Sequence, residues 1–107
     1  MYVILTSKPG QFRTEAANGL RPLEAYDYLF YGQTKAHFVI AELLAERTKS
    51  RVVEDGSNIV NDVPTKFLEK FDTTEDALKE LRHLTSFGHM QTELRKTELH
   101  KTALPAN

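Results

Sequence analysis

The stretch Ala25-Tyr26-Asp27-Tyr28-Leu29-Phe30-Tyr31-Gly32-Gln33-Thr34-Lys35-Ala36-His37-Phe38-Val39-Ile40-Ala41-Glu42-Leu43 decides the fold. Two runs rich in aromatic and β-branched residues flank Gly32-Gln33-Thr34-Lys35, a turn-forming group with glycine first. This is the pattern of a β-hairpin with strands near 25–31 and 36–43. Strand side chains alternate between faces. One face therefore carries Tyr26, Tyr28, Phe30, Phe38 and Ile40, and the other Leu29, Tyr31, Val39, Ala41 and Leu43. Both sets are apolar, so the hairpin is expected at the centre of a sheet with a cover on each side.

Working outward, residues 2–7 read as a strand stopped by Pro9-Gly10. Residues 8–23 show no period and hold Pro9, Gly10, Gly19 and Pro22, so they read as a long connection pinned by Phe12 and Leu20. Beyond the hairpin, 50–55 reads as a further strand with Val52 and Val53, closed by the turn Asp55-Gly56-Ser57-Asn58. Ile59 and Val60 extend the sheet briefly.

The segment Asn61-Asp62-Val63-Pro64 has the polar cap and early proline of a helix start. With Phe67, Leu68 and Phe71 it predicts a short helix over about 63–70. A longer one is predicted over 73–87. Asp72 with Glu75, or Thr73 with Asp76, forms its capping arrangement; Ala77, Leu78, Leu81 and Leu84 recur at helical spacing; Gly88 is a natural end. The expected architecture is α+β: an antiparallel sheet of about four strands (2–7, 25–31, 36–43, 50–55) covered by one or two C-terminal helices. Residues 1–88 are expected as one compact domain, and 89–107 as a polar tail that is partly helical or mobile.

Composition narrows the function classes. The 107 residues are 40% apolar and 27% charged, ordinary globular usage. No run approaches the ~18 apolar residues of a membrane span. Met1-Tyr2-Val3-Ile4-Leu5 has no basic leader, so a cytoplasmic location and no membrane partner are expected. The absence of Cys removes disulfides, thiolate metal sites and cysteine nucleophiles. Fourteen basic and fifteen acidic residues leave a net charge of −1. Nucleic acid is not expected as a partner on that balance.

No catalytic, cofactor or metal set is read in this chain. Glu80 and His83 share a helical face, but di-iron proteins need two such pairs and two further glutamates. His37, His83, His89 and His100 have no metal-site spacing, the glycines form no phosphate loop, and no serine lies in a nucleophile elbow. The aromatic hairpin is the strongest local feature, holding five of the ten aromatics. Core packing and cross-strand pairing are the commoner use of such residues. As a site, Tyr26, Tyr28, Tyr31, His37 and Phe38 would be interface or ligand contacts, since tyrosines are amphipathic anchors. Lys8, Arg13 and Arg21 would be anion contacts in the long connection.

The short stretch Phe71–Ala77 is similar to the sheet-to-helix junction of small three-stranded DNA-binding domains, over seven residues that also make a good helix start. Tyr2–Arg13 resembles short proteins found beside bacterial oxidoreductase systems, which implies an auxiliary component and, without Cys, not a Cys-ligated electron carrier. The leading expectation is a small interaction or accessory protein binding a protein partner or itself as a homodimer. A small-ligand-binding or auxiliary oxidoreductase component is the alternative. A nucleic-acid-binding regulator, using Lys66, Lys70, Lys79 and Arg82, is the third.

Overall fold

The central hairpin is longer and more tightly turned than its sequence signature. A computed structural model describes residues 1–86 and 88–99. Strands β3 (Leu20–Phe30) and β4 (Gln33–Leu43) are joined by only two residues, Tyr31 and Gly32. Both have positive φ, 50° and 79°, as the tight hairpin turn that follows strand twist requires. Gln33, Thr34 and Lys35, expected in the turn, instead open β4. Two register shifts, at Pro22/Glu24 and Tyr28/Leu29, accommodate the proline and tighten the twist.

β1 (Tyr2–Ser7) lies antiparallel on the outer side of β4, and β7 (Thr92–Thr97) on the outer side of β3, giving the order β1-β4-β3-β7. A second, smaller sheet has the order β2-β5-β6, from β2 (Phe12–Glu15), β5 (Lys49–Glu54) and β6 (Val60–Pro64). The two sheets meet where β1 turns into β2. There the amides of Gln11 and Phe12 both donate to the Lys8 carbonyl, and the Thr14 amide donates to Ser7 Oγ at 2.8 Å.

Four expectations change in position. The strand at 50–55 forms as β5 but belongs to the second sheet; the fourth strand of the main sheet is β7. The expected connection 8–23 contains β2 and the first four residues of β3. The expected helix over 63–70 is the end of β6 followed by one 3₁₀ turn, Thr65–Phe67. Thr65 is fully buried, and both its amide and its hydroxyl donate to the Thr48 carbonyl, so cross-strand pairing overrides the proline-initiated helix signal. Finally, part of the expected tail is β7; residues 100–107 lie outside the described residues.

The longer helix forms as α1 (Thr74–Leu84), one residue shorter at its start and three at its end than expected. Thr73 Oγ1 accepts from the Asp76 amide at 3.0 Å, the second of the two capping arrangements read from sequence. The Thr85 and Ser86 hydroxyls donate to the carbonyls of Leu81 and Arg82 and close its last turn before Gly88. Phe87 lies outside the described residues. Tyr2 and Phe71 exchange both backbone hydrogen bonds at 2.8 Å, which delivers the chain to the start of α1 beside β1.

The cover expected on each side of the hairpin is present. On one side Ala77 and Leu81 of α1 pack on Tyr26, Ala36, Phe38 and Ile40. On the other, Val3, Leu5, Ala25, Val39 and Ala41 are closed over by Ala16 and Leu20, with Leu43 and Leu68 at the margin. No helix of the described residues is long and apolar enough to cross a membrane.

Candidate functional site

The hairpin residues singled out from sequence go to four different environments. Tyr26 and Phe38 face each other across β3 and β4 and are buried in the α1-side core. Tyr28 is partly buried at the margin of that core. Tyr31 stands at the tip and is 57% exposed. His37 lies on the opposite side of the sheet. The five do not form one continuous patch.

The tip is ordered by local contacts. The Tyr31 ring meets the Phe30 ring edge to face, with centroids 4.7 Å apart. Its amide donates to the Gln91 carbonyl at 2.9 Å, tying the turn to the segment that leads into β7. Met90, next to that segment, is also exposed.

On the far face, Asp27 is the cross-strand neighbour of His37, and its carboxylate lies 2.7 Å from His37 Nδ1. A carboxylate only accepts, so Nδ1 donates the proton of this contact. His37 Nε2 is buried and has no hydrogen-bond partner among the described residues. Ser7 is the next residue across the sheet, opposite His37 on β1. Its Oγ, however, accepts from the Thr14 amide. Asp27 was missed in the sequence because its role depends on register.

A groove of about 450 Å³ opens on the α1 side. α1 lies over β1 and β4, so the outer part of the sheet, β3 and β7, is left beneath its overhanging stripe. Glu24 and Tyr26, two apart on β3, share the floor with Leu94 and Lys96, two apart on β7; Thr74, Glu75, Leu78 and Arg82 of α1 form the wall. The Tyr26 hydroxyl donates to Glu24 Oε1 at 2.5 Å, and Lys96 Nζ stands 4.0 Å from the same oxygen. Burial, then the hydrogen bond to Glu24 and its charge, push the Tyr26 phenol up to about 12, against a smaller opposing pull from Arg82.

The folded protein therefore holds this proton at a pH where the unfolded chain, near 10, has released it. The stabilisation is present below pH 10 and is lost as pH rises toward 12. A spectrophotometric titration should show one of the four tyrosines ionising late, coincident with alkaline unfolding. Tyr26→Phe should remove the late phase; four tyrosines titrating together near 10 would contradict this burial.

The candidate anion contacts are dispersed. Lys8 sits in the exposed turn before β2, Arg13 pairs with Glu15 at 3.0 Å, and Arg21 is paired with Glu42 across the hairpin. Among the basic residues considered for nucleic acid, Lys66 lies over the Phe67 ring and Lys70 donates to the carbonyls of Thr65 and Leu68. Arg82 belongs to the groove. Comparison with protein-family models, curated proteins and solved structures yields no match to this chain.

Proposed function

We propose that this chain is a protein-binding module that engages its partner, a second copy or another protein, through the end of its hairpin. The observation that carries this reading is the conformation of Tyr31. It occupies a φ of 50°, in the left-handed region that Asn, Asp or Gly fill at this turn position. A bulky L-residue there costs about 1–2 kcal/mol. Strain retained at an exposed aromatic points to use, because no core packing is gained in return. The edge contact with Phe30 positions the ring, and the hydrogen bond from the Tyr31 amide to the Gln91 carbonyl holds the backbone beneath it, before any partner arrives. Such pre-ordering lowers the entropic cost of association, and an exposed, rigid tyrosine is a frequent anchor of interfaces.

The experiment is Tyr31→Asn, which relieves the strain and deletes the anchor together. The variant should be more stable by about 1 kcal/mol, raising Tm by roughly 4–8 °C. Proteins retained from the native host's extract by the wild-type chain should be lost with the variant. A homodimer seen by sedimentation should likewise dissociate. Identical retention by both chains, together with a strictly monomeric wild type, would overturn the reading.

A further inference from the structure

We infer that the groove between α1 and the β3–β7 edge of the sheet is a binding site for a small amphipathic carboxylate. The inference stands apart from the hairpin tip and rests on how the charges around the groove are distributed. Both groove carboxylates are already engaged. Glu24 accepts from the Tyr26 hydroxyl and faces Lys96, whereas Glu75 accepts from the Thr74 hydroxyl at 3.3 Å and sits in the first turn of α1, where the helix dipole favours an anion.

Arg82 has no such partner. No carboxylate of the described residues lies within ion-pairing distance of it, yet it lines the groove one helical turn from Leu78 and close enough to Tyr26 to act on that phenol. Between the charges the groove also presents apolar surface, from Leu78, Leu94 and the Tyr26 ring. A guanidinium with no ion-pair partner among the described residues, beside the apolar surface of Leu78, Leu94 and the Tyr26 ring, complements a ligand with an anionic head and a hydrophobic body. Guanidinium binds a planar carboxylate through two parallel hydrogen bonds. The volume, about 450 Å³, lies within the range of small-molecule sites.

The test uses benzoate and hexanoate as probes, with benzyl alcohol, 1-hexanol and acetate as controls, followed by amide chemical shifts of the full chain. Benzoate and hexanoate should produce saturable shifts at residues 24–26, 75–82 and 94–96, with dissociation constants of about 1 mM or tighter. They should bind at least tenfold more tightly than the matched alcohols or acetate. Arg82→Gln should abolish the preference for acid over alcohol, Arg82→Lys should restore part of it, and Leu94→Ala should weaken acids and alcohols alike. Tyr31→Asn should change none of these values, which separates this site from the tip. Equal binding of acids and alcohols, equal binding of acetate and benzoate, shifts outside the groove, or no saturable shift would each overturn the proposal.

Discussion

Leu81→Ala should lower the stability of this protein by about 2–5 kcal/mol, read from the midpoint of urea unfolding. Leu81 is completely buried, and with Ala77 it is the side chain by which α1 holds the sheet. Its neighbours in the cluster, Tyr26, Phe38 and Ile40, stand on two paired strands and cannot collapse into the space without disturbing the ladder. The cost is therefore the lost transfer free energy plus an unfilled cavity. A domain of this size has only about 5–15 kcal/mol in total, so one truncation consumes a large share. Leu81→Met, which conserves volume, should cost less than about 1.5 kcal/mol. A loss below 1 kcal/mol for the alanine variant would mean that α1 is not packed as described, and that the groove it overhangs is not a fixed shape.

Gly19→Ala should be comparably damaging, for a reason that involves no hydrophobic burial. Gly19 lies between β2 and β3 at a φ of 91°, and a Cβ built on it would stand 2.4 Å from Thr48 Oγ1 and 3.1 Å from Thr48 Cγ2. Thr48 has little room to yield. It is buried, its hydroxyl donates to the Ala45 carbonyl at 2.8 Å, and its own carbonyl accepts from both the amide and hydroxyl of Thr65. The Gly19 carbonyl also accepts from the Leu44 amide, beside the end of β4. Left-handed strain, overpacking and a disturbed buried hydrogen bond sum to a loss on the order of 3 kcal/mol. Adding Thr48→Ala to Gly19→Ala should recover the steric part and leave the backbone part. If the double variant is no better than the sum of the single ones, the close approach is not the cause.

The hairpin was legible because its residues repeat with period two across both strands, and a buried position leaves that imprint wherever the strand lies. The start of α1 was legible because Thr73 and Asp76 have the types and spacing of a cap. β7 was not. Its burial alternates weakly, and Leu94 is its one strongly apolar residue, so it resembles an exposed segment until it is placed beside β3. β2 is four residues long, too short for a period to register. The turn was misplaced by two residues because Gly32 fits either the first position of a four-residue loop or the second of a two-residue one.

The candidate groove was less legible still. Tyr26 was singled out as an aromatic, but Glu24, Arg82 and Lys96 reach it from β3, α1 and β7, and nothing local marks charged residues as future neighbours. The same holds for Asp27, whose contact with His37 follows from the register of β3 on β4.

By itself, then, the chain's order of residues determined an antiparallel hairpin apolar on both faces, hence central and doubly covered, and a capped helix able to cover one of them. The tertiary structure decided which strands flank the hairpin, that 49–54 leaves the main sheet for a second one, and that a charged edge strand completes the first. The physical reason is that core-facing side chains carry their environment in their chemistry. Backbone hydrogen bonds, which select edge partners and register, are the same for every sequence. Tyr31 shows both influences: its residue type favoured neither a turn nor a positive φ, and only the closure of β3 onto β4 put it there.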